Sequence, residues 1–240
     1  MHLSNNKILI TGGASGIGRG LTERFLQEKN TVIICGRREE VLQEMAVKHP
    51  GLLTRKCDLE IPAERESLYS WISKEHPDLN VLVNNAGIQN WMKIDDPDFY
   101  QRARSEMAIN IEAPIHLTSL FIGLSSLRTI MNVTSGLSFV PLTRTPVYSA
   151  TKAFLHSFTL SIRYLLQARK IEVVEIIPPA LNTDLGGKGL HDQAPPVSDF
   201  IESIFRQLAE GHKELTFGFS EAMAKAGPEE VRNAFARMNP

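Results

Sequence analysis

The sequence predicts an α/β fold: a doubly wound, open parallel sheet with helices on both faces, three layers deep. Three observations carry that expectation. Short apolar runs recur along the chain and alternate with longer amphipathic stretches, the pattern of strands buried on both faces and joined by crossover helices. The first of these runs leads into a glycine-rich turn and then a helix. The length of 240 residues, 42% of them hydrophobic, suits a single domain over 1–240 with a sizeable core.

Composition also excludes. A net charge of −1 argues against a nucleic-acid binder, which would carry a basic excess or stripe. No apolar run reaches the ~20 residues of a membrane span, and the opening MHLSNNKILI lacks a signal-peptide pattern. Cys35 and Cys57 stand far apart in apolar contexts, which predicts buried free thiols and no disulfide or metal site. The expectation is a cytoplasmic protein with no membrane or nucleic-acid partner.

Taken in order, Lys7–Ile10 is the first strand, TGGASGIG at 11–18 is the turn, and an amphipathic helix follows. Gly12 allows the tight turn, Gly16 lets a ligand approach the backbone, and Gly18 lets the helix pack on the sheet. The free N–H groups and positive dipole end of that helix suit a pyrophosphate. Thr31–Cys35 is the second strand, ending in Gly36-Arg37-Arg38 where an NAD-preferring site would place an acid. Arginine there suits the 2′-phosphate of NADP, with Arg37 the first choice over Arg38. Glu39 or Glu40 folding back to a ribose is the counter-reading, but both look like the first turn of the next helix. NADP(H) is therefore expected over NAD(H).

A helix to about His49 leads to a strand near Leu53–Cys57 that ends in Asp58, either a contact for the adenine amino group or a cap for the segment after Pro62. Residues 63–76 read as a helix with Trp71 and Ile72 on its buried side. Val81–Asn84 is a strand running into Asn85-Ala86-Gly87, small and polar enough to let a cofactor pass while tying down backbone. Asp96 starts a long helical pattern through Phe121, with Asn110 inside it, a residue able to hold a water and a helix distortion. Thr129–Thr134 is a strand ending at Ser135, which either bonds a substrate carbonyl or caps the turn before Gly136. Pro146 opens a helix on which Tyr148 and Lys152, four apart, share one face. An ammonium beside a phenol is expected to pull its pKa down from ~10. Glu172–Ile177 is a further strand, and the tail adds a helix at about Val197–Glu210, a short strand at Leu215–Phe219 and a polar helix.

TGGASGIG, Asp58, NNAG at 84–87, Asn110, Ser135 and YSATK at 148–152 occur in the order and spacing of the short-chain dehydrogenase/reductase family, and the chain resembles its single-domain type up to about Leu185. The segments ICGRREEVL, NNAGIQ, VTSG and IIPPALNTDL are similar, more narrowly, to oxidoreductases associated with the D-alanylation operon of teichoic acids. The family resemblance implies a Rossmann-like sheet of seven parallel strands and a homodimer or homotetramer built on the helices carrying Asn110 and Tyr148. It implies Tyr148 as acid/base, Lys152 on the nicotinamide ribose, Ser135 orienting the substrate oxygen and Asn110 holding a water in a proton relay. The cofactor positions it implies are Gly12, Ser15, Gly16, Ile17, Gly18, Arg37, Arg38, Asp58, Leu59, Asn85, Ala86, Gly87, Lys152, Pro178 and Thr183. One departure is Pro178-Pro179, where the family has Pro-Gly; proline forbids a positive φ and removes an N–H donor.

The expected activity is hydride transfer between NADPH and a small, mainly apolar carbonyl or alcohol, with Gln89, Trp91, Leu137, Phe139, Pro179 and Leu185 bordering the substrate. GGKGLHDQAPP at 186–196 reads as a mobile lid, continued to about 212, on which His191 either touches substrate or is solvated. The rival class is a non-catalytic NADP-binding sensor or scaffold of the same fold, which has no need of Tyr148 and Ser135 together. A methyltransferase would want an acid in place of Gly36-Arg37.

Overall fold

Alternate residues of each apolar run enter different cores. Ile8, Ile10, Val32, Ile34, Val81, Val83, Met131, Val133, Val174 and Ile176 face one layer, while Leu9, Ile33, Leu82, Ile130 and Val173 face the other. The computed structural model describes residues 1–240 and joins these runs in one sheet. Its strands are β1 (Lys7–Thr11), β2 (Thr31–Gly36), β3 (Leu53–Lys56), β4 (Val81–Asn84), β5 (Thr129–Val133), β6 (Glu172–Ile177) and β7 (Glu214–Thr216). All neighbours pair in parallel, in the order β3-β2-β1-β4-β5-β6-β7. The winding reverses between β1 and β4, and a crevice opens there at the carboxyl ends of the strands.

Helices α1 (Gly16–Gln27), α2 (Glu39–Lys48) and α7 (Val197–Ala209) cover the first face, where Phe25 of α1 meets Phe205 of α7 edge-on at 4.8 Å. Helices α3 (Pro62–Glu75), α5 (Ala113–Phe121) and α6 (Pro146–Leu165) cover the second through Leu68, Ile72, Leu117, Phe121 and Ile162. Burying each such side chain contributes about 1.5–3 kcal/mol, which makes the two layers the main source of stability.

Several local readings change. The helix expected from Asp96 begins as α4 at Phe99, because Asp96 closes a turn instead: its carboxylate accepts from the Lys93 amide at 2.9 Å and from Arg102 at 2.6 Å. After Met107 a π-turn, Ala108–Glu112, separates α4 from α5, and Asn110 sits in its middle, where a distortion was expected. Trp71 is only half-buried, under the Arg55 guanidinium at 5.2 Å, whereas Ile72 is fully buried. The last strand stops at Thr216, since Gly218 turns the chain with φ 55 and Phe219 opens α8 (Phe219–Lys225), followed by α9 (Pro228–Met238). The lid does not continue to 212. Helix α7 buries Phe200, Ile201, Ile204, Phe205 and Leu208 in the core, so only the loop 186–196 lies outside it.

Candidate active site

The ends of β1 and β4 are laced together across the crevice. The Thr11 hydroxyl accepts from the amides of Asn85 and Ala86, both at 3.0 Å, and Asn85 Nδ2 donates to the Thr11 carbonyl at 2.8 Å. Gly16 has φ +51, a left-handed conformation that L side chains rarely adopt, and a side chain there would meet nothing nearer than Thr183 at 3.5 Å. Gly18 acts differently from expectation. It presses α1 against the turn rather than the sheet: a Cβ there would overlap the Gly12 carbonyl oxygen and Asn85 Nδ2. The first N–H groups of α1 have no intrahelical partner, and the N-cap Ser15 spends no side-chain bond on them. They are left for an anion.

The resulting cleft, about 940 Å³, brings the sequence-read positions together. Gly12, Ser15, Gly16, Ile17 and Gly18 line it at the turn, Arg37 and Arg38 after β2, and Asp58 and Leu59 after β3. Asn85, Ala86 and Gly87 after β4, Lys152 and Tyr148 on α6, and Pro178 and Thr183 after β6 complete it. Both arginines are exposed and neither is paired to a carboxylate; Arg38 donates to Ser15 Oγ at 3.3 Å, which holds it over the turn more directly than Arg37. Glu39 pairs with Lys56 at 3.5 Å and does not return to the cleft. Asp58 Oδ1 accepts from the Glu60 amide at 3.0 Å, so part of its carboxylate is spent on a local turn. Cys35 and Cys57 also line the cleft as free thiols; their mutual hydrogen bond and burial push Cys35 well above the usual thiol range.

Tyr148 and Lys152 are 5% and 3% exposed, on the inner face of α6. Lys152 Nζ donates to the Val133 carbonyl at 2.8 Å and lies 5.6 Å from the centre of the Tyr148 ring. Burial lowers the lysine's pKa to about 8. Burial also raises that of Tyr148, with the Glu106 charge adding to the rise and the Ser135 hydroxyl opposing it. The expected lowering of the phenol by the ammonium is not met: the lysine's proton is directed at a carbonyl, and desolvation dominates. Ser135 Oγ accepts from the Leu137 amide at 3.1 Å, so Ser135 caps the short turn Gly136–Ser138 as well as facing the tyrosine. Asn110 does not line the cleft. Its Oδ1 accepts from the Ile88 amide at 2.9 Å, and its Nδ2 donates to the Ile88 carbonyl at 2.8 Å and Thr151 Oγ1 at 3.1 Å. Both amide hydrogens are therefore taken, and Oδ1, with one donor, keeps a second lone pair.

Of the expected substrate border, Gln89 and Leu185 line the cleft; Trp91, Leu137, Phe139 and Pro179 do not. A side chain at Gly186 would come within 3.2 Å of Trp91 Nε1, and the Arg144 guanidinium covers that ring at 5.7 Å. Phe139 turns instead to His156, edge-on at 4.8 Å. Asn90, Asn182 and Asp184 take their place, so the border is more polar than expected. The loop 186–196 is tied back by Asn182, whose amide donates to the Pro195 carbonyl at 2.9 Å, and His191 Nε2 lies 3.1 Å from the Leu185 carbonyl. Pro178 keeps the strand-end contact, its carbonyl accepting from Gly136 at 2.9 Å.

Sequence reasoning missed Glu106 and Glu175, both fully buried. Glu106 lies four residues before Asn110 and three after Ala103, on their buried helix face, and that spacing is the signal that finds it. Glu175 accepts from Thr134 Oγ1 at 2.7 Å and meets His156 Nδ1 at 2.9 Å, but it sits in an apolar strand that hides it.

Comparison with known proteins finds relatives along most or all of the chain. The family model described as short chain dehydrogenase matches residues 6–194. An uncharacterized oxidoreductase, DltE, of Bacillus subtilis (strain 168) is 40% identical over 253 aligned positions, covering 100% of this chain and 98% of the relative. An NADP-dependent 3-hydroxy acid dehydrogenase, YdfG, of Shigella flexneri is 29% identical over 175 positions, 71% of each chain. Among solved structures, a short chain dehydrogenase from Burkholderia cenocepacia J2315 in complex with NADP superposes with a TM-score of 0.85 at 23% identity, covering 99% of both chains.

Proposed function

Because the chain belongs to the short-chain dehydrogenase family and is an oxidoreductase of it, we propose that its cleft takes NADP(H) and exchanges hydride with a small carbonyl or alcohol, Tyr148 serving as the acid/base. The residues present fit a dinucleotide. Positive φ at Gly16 opens the turn, the α1 N-terminus offers free N–H groups, and two arginines without a carboxylate partner line the cleft after β2, able to take a 2′-phosphate. The Lys152 ammonium, bonded only to Val133, keeps donors for ribose hydroxyls.

A bound nicotinamide supplies the hydride. The chain supplies position and a proton. Burial keeps the Tyr148 phenol neutral at neutral pH, so it is poised to give its proton to a carbonyl oxygen as negative charge develops there. Ser135 offers that oxygen a hydroxyl donor. Lys152, charged below about pH 8, stabilises charge appearing on the tyrosine afterwards. A neutral phenol is an acid rather than a base, and reduction is the direction this favours. The observation that carries the reading is the convergence of Tyr148, Lys152 and the α1 turn on one cleft.

The same reading makes the protein cytoplasmic, supported by two free thiols, and a homodimer or homotetramer, supported by exposed Met107 and Phe154 on α4 and α6. A carbonyl screen with NADPH tests the activity. Tyr148→Phe should lower kcat/KM by roughly 10²–10⁴ while NADPH affinity is kept. Undiminished turnover in that variant contradicts the assignment.

A further inference from the structure

We propose that Asn90 sets the substrate class: the amide oxygen it leaves free in the cleft receives a hydroxyl group of a neutral hydroxy-carbonyl substrate. This rests on the reading of the cleft as a carbonyl-reducing site and names the substrate within it. Asn90 lies on the segment leaving β4, is half-buried, and lines the cleft. Glu106 of α4, 0% exposed, decides which end of its amide faces outward. Glu106 Oε1 accepts from the Asn90 backbone amide and, at 3.0 Å, from Asn90 Nδ2. A backbone N–H can only donate, so Oε1 is an acceptor whether or not the carboxyl group is ionised. The side-chain nitrogen is therefore the end that meets it. Asn90 Oδ1 stands at the other end of the amide, with no protein donor, and it is not a buried atom. Arg102, one turn before Glu106, donates to the Trp91 carbonyl at 2.9 Å, so successive turns of α4 hold residues 90 and 91 in place.

Charge then sorts the ligand. The segment that follows Thr183 crosses to this wall, since a side chain at Gly186 would come within 3.3 Å of Gln89 Nε2. Asp184, on that segment, lines the cleft with an exposed carboxylate. The cations of the lining are Arg37 and Arg38 after β2 and Lys152, which donates to Val133. Arg102 is taken by Asp96 at 2.6 Å and Asp98 at 2.8 Å, and Arg144 lies over the Trp91 ring, outside the lining. A carboxylate tail beside Asn90 would bring two more acceptors to an acceptor, near the acids Asp184 and Glu106. An ammonium tail would share the cleft with the Lys152 charge. A hydroxyl gives Oδ1 its missing donor and carries neither cost.

The test follows NADPH oxidation with three four-carbon aldehydes that differ in their tails: butanal, 3-hydroxybutanal and succinic semialdehyde. The kcat/KM for 3-hydroxybutanal should exceed that for butanal by roughly 3–10-fold, the worth of one neutral hydrogen bond, and succinic semialdehyde should be the poorest of the three. Asn90→Leu, which removes the oxygen at similar volume, should bring 3-hydroxybutanal and butanal to parity. Glu106→Gln should keep the wild-type ratio, because the Asn90 backbone N–H holds the glutamine oxygen where the carboxylate oxygen was. Glu106→Met releases the Asn90 amide and should lower the ratio, chiefly through a higher KM for 3-hydroxybutanal. A wild-type enzyme that treats 3-hydroxybutanal and butanal alike, or prefers butanal or succinic semialdehyde, overturns the proposal, as does a ratio that survives Asn90→Leu. The wild-type ratio decides even where a variant fails to fold. Loss of butanal reduction in Tyr148→Phe judges the activity separately from the ratio, and turnover of none of the three aldehydes would overturn the activity and the proposal together.

Discussion

Replacing Lys152 with methionine should make the cofactor-free protein more stable while removing a group the proposed chemistry needs. The ammonium is 3% exposed and bonded to one carbonyl, and burial takes its pKa from 10.5 to about 8. Between those values the unfolded chain holds the proton that the folded chain has given up, so stability rises with pH across the window. Below about pH 8 the folded state carries the full penalty. At about 1.4 kcal/mol per pH unit this is about 3 kcal/mol. Methionine fills similar space without the charge but leaves the Val133 carbonyl without its donor, a loss of about 1 kcal/mol, so the net gain at pH 7 is about 2 kcal/mol. Urea unfolding at several pH values from 7 to 10 measures it. The wild-type curve should climb toward the variant's as pH rises. A variant less stable than wild type at pH 7, or parallel curves, would refute the reasoning.

Other substitutions probe the turn and the buried acid of β6. Gly18→Ala should cost about 2–4 kcal/mol in the same urea assay and abolish NADPH binding, since its Cβ overlaps backbone at Gly12 and lies 2.9 Å from that residue's carbonyl carbon; a variant that folds and binds normally would contradict the close approach of α1. Glu175 raises the pKa of His156 through their hydrogen bond, so this pair contributes stability that is fully present below the unfolded histidine value and lost as pH rises through the raised folded one. Glu175→Gln should therefore destabilise more at pH 5.5 than at pH 9, and thermal melts showing the opposite order would remove the ion pair from the account.

The sheet was legible because the inner strands β1, β2, β4, β5 and β6 are buried on both faces, so that Lys7–Ile10 or Val81–Val83 reads as an unbroken apolar run. The cleft was legible for a related reason: its contacts are made by backbone at strand ends, where Gly16, Gly18 and Asn85 are demanded by geometry. The substrate border was not. Leu137 and Phe139 follow a strand but fall in and after a short tight turn, and no periodicity says which way such side chains face. Asp96 misled because an acid before a proline serves a turn as well as a helix start. The end of the lid is hidden in the sequence by its glycines, although the spacing of Phe200, Ile204 and Leu208 marks the buried face of α7. The electrostatics were the least readable. An ammonium four residues from a phenol lowers its pKa only when it is turned to the phenolic oxygen, and here Lys152 points to the Val133 carbonyl while desolvation raises the phenol.

The most direct test of the central claim is a fluorescence titration of the wild-type protein with NADPH and with NADH. Two unpaired arginines at the end of β2 can each give a 2′-phosphate a charge-assisted hydrogen bond, and one such bond is worth about 1.5–3 kcal/mol. NADPH should therefore bind roughly 10–100-fold more tightly. Equal affinities, or tighter binding of NADH, would contradict the NADP assignment, and binding of neither would remove the cleft as a cofactor site.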